Sequence, residues 1–222
     1  MAKNLTSKEL KTLHNTDFFL VKASATKKIE HLFAEVRDEI KSAIEENKIV
    51  FPKEVDATNG KIFRGENYQG LPYLVLDYPK HFSKDSVFAF RTMFWWGNFF
   101  SCTLHLQGKG LEHLTDPIPT FPKGQPKVAN EVRATSATLP LWGRWRGSGV
   151  YICVNNNPWQ YHYKKDNYLS IDKLSDSEIK KMLLESKFIK LSRKIPIKDH
   201  KKVVKFARES FLLLQSALVD KV

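Results

Sequence analysis

The sequence predicts an α+β fold: a mainly antiparallel, twisted sheet of roughly seven strands packed by two long helices, in one globular domain over residues 1–222. Three features carry this reading. Apolar side chains recur at helical spacing near each end of the chain, and an aromatic-rich run midway alternates between two faces. The strand-like segments also follow one another instead of alternating with helices, which argues against a parallel α/β sheet.

The first helix is expected over residues 26–48, where Ile29, Leu32, Phe33, Val36, Ile40 and Ile44 form one apolar stripe, with Ser24 or Thr26 as cap. Two short strands follow at 61–65 and 73–78, separated by the turn-rich GENYQGLP and closed by Pro79. The strongest local signal is VFAFRTMFWWGNFFSCTLHLQG at 87–108. Gly97 and Asn98 suit a two-residue type II′ turn, which pairs Trp96 with Phe99 and sets Phe88 opposite Gln107. In that register Val87, Ala89, Arg91, Met93, Trp95, Phe100, Cys102, Leu104 and Leu106 share one face, with Phe90, Phe94 and His105 on the other. Both faces are too apolar for water, so the hairpin belongs at the centre of the sheet.

Residues 108–141 hold five of the ten prolines and read as a long irregular excursion. A second strand cluster, WGRWRGSGVYICVNNNPWQYHYKK, is expected to form a three-stranded meander, turning at Gly147 and Ser148 and again at 155–158. A short helix follows Ser175, then a strand at 187–193. The closing helix runs over 199–218, with Asp199 as cap and Val203, Phe206, Ala207, Phe211, Leu214 and Leu218 facing inward.

Composition bounds the function. Apolar residues at 42% and aromatics at 12% supply a sizeable core, which excludes a disordered chain. No apolar run approaches the ~18 residues a membrane span needs, and the first residues lack the apolar stretch of an export signal. Only two cysteines occur, Cys102 and Cys153, both in strand-like segments. The expectation is therefore a cytoplasmic protein with two free thiols and no membrane insertion. The net charge of +12 favours phosphates or acidic partners, and residues 160–222 carry 15 Lys or Arg against 8 Asp or Glu. Much of that excess fits solvated helix faces.

No phosphate loop or dinucleotide fingerprint is present, and the seven histidines show neither HxH nor HExxH spacing. Neither cysteine has a CxxC partner, so no metal and no cofactor are implied. Ser148 lies in GSG without the spacing of a nucleophile elbow, and Cys102 reads as a small buried hydrophobe. No residue is assigned to catalysis, and the sequence leaves open whether the protein is an enzyme.

The candidate ligand-binding residues are Arg91, His105, Trp142, Arg144, Arg146, Tyr151 and His162. Arg91 lies among apolar neighbours in this register and requires a buried acid such as Asp77 or Glu66, a ligand to anchor, or a different register. His105 is a hydrogen-bonded core or rim histidine, or an acid, base or ligand contact. In the expected meander, Trp142, Arg144, Arg146, Tyr151, Gln160 and His162 share the face opposite Trp145, Val150, Ile152, Val154, Trp159, Tyr161 and Tyr163. Flat rings beside guanidinium groups suit either a small anionic or aromatic ligand or a nucleic-acid strand. An enzyme assembled from scattered residues is the third reading, and oligomeric state is not legible in the sequence.

Two stretches, RGENYQGLPYLVLDYP at 64–79 and FRTMFWWGNFFSCTLHLQG at 90–108, resemble a family of bacterial proteins of unknown function and of about this length. The resemblance implies a bacterial cytoplasmic protein and transfers no site residue. SKFIKLSRKIPI and the helix after it also look like the C-terminal end of other bacterial α+β families of unknown function.

Overall fold

The computed structural model of the chain describes residues 4–114 and 141–218. The elements run α1 (Ser7–Leu13), α2 (Thr16–Glu46), β1 (Lys61–Tyr68), β2 (Leu71–Phe82), β3 (Ser86–Trp95), β4 (Phe99–Gly108), β5 (Tyr151–Cys153), β6 (Tyr168–Ser170), α3 (Asp176–Glu185), β7 (Phe188–Pro196) and α4 (Val203–Gln215). One antiparallel sheet takes all seven strands in the order β1-β2-β3-β4-β7-β5-β6. The α+β class and the central hairpin are as the sequence predicts. No helix among the described residues is long and apolar enough to cross a membrane.

The helices differ from expectation at their starts. α2 is 31 residues long and begins ten residues early, because the Asn15 side chain accepts from the Phe18 amide and caps it there. Thr26 bonds back to the Lys22 carbonyl inside the helix and caps nothing. The closing helix is shorter than expected at 13 residues: Asp199 lies in a preceding 3-10 stretch, Ile197–Lys202, and breaks helical geometry. Only one of the two helices is therefore long. α3 begins where Ser175 predicts, through a reciprocal capping box with Glu178.

The main core lies between one sheet face and the helices. Phe33, Val36 and Ile40 of α2 and Val203, Ala207, Phe211 and Leu214 of α4 pack on Leu74, Leu76, Phe88, Phe90, Phe94, Phe100, Leu104, Ile189 and Leu191. Ile179 and Leu183 of α3 join the same core.

The hairpin register differs from the expected one. Trp95 pairs with Phe99 and Phe88 with Leu106, so the turn has three residues, 96–98. Gly97 takes the positive φ of 71°, the Asn98 side chain donates to the Trp96 carbonyl, and the Trp96 amide leaves the ladder to reach Pro72. One added turn residue moves every β4 side chain to the other face relative to β3. Phe88, Phe90 and Phe94 therefore sit with Phe100, Cys102, Leu104 and Leu106 against the helices. Arg91, Met93 and Trp95 share the far face with Phe99, Ser101, Thr103 and His105.

The expected meander is not formed. Residues Leu141–Arg144 make a 3-10 turn and the chain turns on to Gly149, leaving Tyr151–Cys153 as the one strand of the cluster. Trp142 and Trp145 are both buried in the main core, which a three-residue helical step allows and strand alternation does not. Residues 154–167 form no strand and lie across the far face of the sheet, while β6 pairs with β5 in their place. Of the predicted irregular excursion, Lys109–His113 is a 3-10 turn and residues 115–140 lie outside the described residues.

Candidate functional site

The far face of the sheet is buried and mixed, with charged and polar side chains beside an apolar cluster of Val75, Met93 and Trp95. Asp77 and Arg91 are direct cross-strand partners on β2 and β3. The guanidinium donates through Nε and Nη2 to the two Asp77 oxygens at 2.7 and 2.8 Å, and through Nη1 to the Tyr161 hydroxyl at 2.8 Å. Burial opposes the charge of Arg91, but Tyr161 and Asp77 outweigh it and hold its pKa above the ordinary arginine value. Of the readings of Arg91, the buried pair with Asp77 is the one its geometry satisfies: three of the five guanidinium N–H groups, one on each nitrogen, are bonded to Asp77 and Tyr161.

The β4–β7 pairing sets His105 beside Lys190, and the altered hairpin register puts both on the face that carries Arg91. Lys190 is fully buried, donates to the Pro158 carbonyl at 2.9 Å and to the Gln160 carbonyl, and lies 4.2 Å from the Tyr161 ring centre. Burial pulls its pKa down to about 8. His105 is held near 3, first by burial and then by the Lys190 and Arg91 cations, so its imidazole is neutral. Its ring packs edge-on to Trp159 and Phe188, and Nε2 has no partner among the described residues. A base that protonates near pH 3 is poorly matched to proton transfer near neutrality. A lysine whose donors face two carbonyls and a ring is equally ill-placed to attack a substrate.

The rest of this face ties down the covering segment. The Tyr68 hydroxyl accepts from the amides of Tyr161 and His162 at 2.6 and 3.0 Å, and the Asn167 side chain donates to the His162 carbonyl at 2.6 Å. Ser192 links Thr103 at 2.6 Å to the Tyr163 hydroxyl. These bonds make the face a buried architectural network, in which side chains of the sheet hold the main chain of residues 154–167.

The remaining predicted residues are dispersed. Trp142 is in the main core and Arg144 is exposed. Arg146 donates to the carbonyls of Ile171 and Leu174 at 3.0 and 2.8 Å and to Asp176 at 2.7 Å, so it fastens the turn to the start of α3. Tyr151 stands half-exposed on the far face beside Tyr163 and Lys194. His162 is buried within the covering segment itself, its pKa lowered by burial, and its Nδ1 accepts from the Lys164 amide. Arg144, Arg146, Tyr151 and His162 thus do not form the common wall that the meander predicts, because no strand carries the two arginines.

An opening does exist nearby. β5 and β7 pair only at Tyr151 with Ser192 and Ile152 with Leu191, and beyond these positions the two chains part. Val154 turns aside to bond with the Asn167 carbonyl. The gap is a crevice of about 740 Å³, walled by Cys153 to Asn156 on one side, Lys187 and Phe188 on another, and the Lys181, Met182 and Glu185 edge of α3. Val154, Met182 and Phe188 give it an apolar lining, with Lys181, Lys187 and Glu185 at the rim. Glu178 also reaches it, but its carboxylate is bound to the Ser175 amide and hydroxyl. Cys153 borders the crevice, and burial pushes its thiol pKa up, so it is a poor nucleophile. Sequence periodicity offered no sign of this site, since it depends on where two paired strands separate. Among the described residues no group of acidic, histidine or cysteine side chains is arranged to hold a metal ion. No family model, curated protein or solved structure matches the chain.

Proposed function

We propose that this protein is a non-catalytic binder of a small ligand with an apolar or aromatic body and an anionic group, held in the crevice between β5, β7 and α3. The observation that carries this reading is the parting of two hydrogen-bonded strands to open a crevice lined by both apolar and charged side chains, in a volume within the ~300–1,000 Å³ range of small-molecule sites. Met182, Phe188 and Val154 would pack against the apolar body. Lys181 and Lys187 would meet the anion, since Glu178 is engaged in its cap and Glu185 is the one uncommitted acid there. The titratable groups of the neighbouring network are bonded or held neutral, which favours binding over catalysis.

The test uses 8-anilinonaphthalene-1-sulfonate, an aromatic anion. It should bind saturably, a Met182→Trp change that fills the crevice should remove that site, and Lys181→Glu with Lys187→Glu should weaken it about tenfold or more. Dye binding absent in the wild type, or equal in all three proteins, overturns the proposal. The nucleic-acid reading draws on a basic aromatic sheet face that is not assembled, which leaves it the net charge, and salt-steep binding of single-stranded RNA would revive it.

A further inference from the structure

The first turns of α2 break the pattern of the rest of that helix. From Phe33 to Ala43 its buried residues form one stripe against the sheet, as a surface helix should. At its start four consecutive apolar residues, Phe18, Phe19, Leu20 and Val21, are 50, 42, 67 and 67% exposed. Successive helix residues step round by roughly 100°, so these four reach every side of the helix. α1 gives no cover, having no buried residue and exposing Leu10 and Leu13 as well. Among the described hydrogen bonds and ion pairs, the first side chain tying α2 to the sheet is Lys22, paired with Glu66 at 2.9 Å. Both helix starts are nevertheless set: Thr6 and Glu9 cap α1 reciprocally, and Asn15 caps α2.

We propose that α1 and the opening turns of α2 form a self-association surface, covered by the same helices of a second copy of this chain. A helix that is apolar on all sides belongs in the interior of a helical assembly. A flat lipid layer would cover one side and leave the others in water. Six such side chains, each giving up on the order of 100 Å², approach the ~800 Å² per partner of a standard interface. The flanking charges oppose this pairing only weakly at moderate salt. Lys8, Lys11, Lys22, Lys27 and Lys28 outnumber Glu9 and Asp17, so two copies repel weakly through groups that salt screens, while the apolar contact persists.

Sedimentation equilibrium over a concentration series, at low and at moderate salt, tests the proposal. The wild type should dimerise, more tightly at the higher salt. Phe19→Glu with Leu20→Glu should raise the dimer dissociation constant about a hundredfold or more. Both side chains are exposed, so the circular dichroism spectrum should not change. The proposal fails if the wild type is monomeric throughout, or if the variant dimerises as well as the wild type. It fails equally if the wild type is monomeric and binds vesicles of phosphatidylglycerol and phosphatidylcholine through these residues. Dye binding in the crevice is read separately, so the two proposals stand or fall independently.

Discussion

Replacing Lys190 with Met should leave a pH signature that no surface lysine would give. The Lys190 pKa falls from 10.5 to about 8 on burial, a gap that corresponds to about 3 kcal/mol. Below pH 8 the amine is charged in both the folded and the unfolded chain, and the fold bears the whole cost of burying it. Between about pH 8 and 10.5 the folded amine is neutral while the unfolded one still holds its proton, so Lys190 makes the fold more stable as pH rises. The neutral amine keeps two N–H groups for the carbonyls of Pro158 and Gln160. Methionine removes the buried charge but also both bonds, each worth ~1.5–3 kcal/mol to a charged donor. At pH 7.5 the variant should therefore lose a net ~0–3 kcal/mol. At pH 10 the deficit should widen by about 2 kcal/mol, because only the wild type gains from deprotonation. Urea unfolding of both proteins at the two pH values measures this, and the difference between them cancels the tyrosines and cysteines they share. A deficit that stays constant or narrows with pH would refute the view that a lysine ammonium is buried under this segment.

Two further outcomes probe Arg91, whose pairing with Asp77 the sequence suggests, and Arg146, which it places on a ligand-binding face. Asp77→Asn removes the carboxylate facing a buried guanidinium and should cost ~3–5 kcal/mol in urea unfolding, whereas Asp77→Leu with Arg91→Met should recover most of that loss. Arg146→Ala should destabilise by ~1–3 kcal/mol, because three bonds to the start of α3 are lost. Arg144→Ala should stay within ~0.5 kcal/mol, and thermal melts separate the two.

What was legible in the sequence was what depends on local period. The stripe through Phe33, Val36 and Ile40, and the one through Val203, Ala207 and Phe211, identify α2 and α4 because 3.6-residue spacing leaves one face to bury. The two hairpin strands were legible for the same reason, but their register was not. Gly97 and Asn98 satisfy a two-residue turn on paper, while the bond from the Trp96 amide to Pro72 on another strand removes Trp96 from the ladder. That single residue decides whether Arg91 faces Leu104 or shares its face with His105. The WGRWRG segment alternates like a strand, yet burial of both Trp142 and Trp145 on the helix side favours a 3-10 turn. Lys190 gave no signal, because its partners are main-chain carbonyls of an irregular segment, and any residue can supply a carbonyl.

The place of β7 in the sheet sets the order in which this protein can be assembled on the ribosome. β1 to β4 are neighbours in sequence and in space, so they can close as each emerges. β5 and β6 come next, but they attach to the sheet only through β7, which fills the slot beside β4 after the chain has run from Gly108 to Phe188. Throughout that interval β4 is a free edge, flanked by Phe100, Leu104 and Leu106 whose helical cover in α4 has yet to be made. A nascent chain halted before Phe188 therefore presents a long, apolar strand with nothing to pair with, the condition under which chains join one another edge to edge. β7 is in this sense the keystone, and a nonsense mutation before Phe188 should yield insoluble protein and not a smaller working domain.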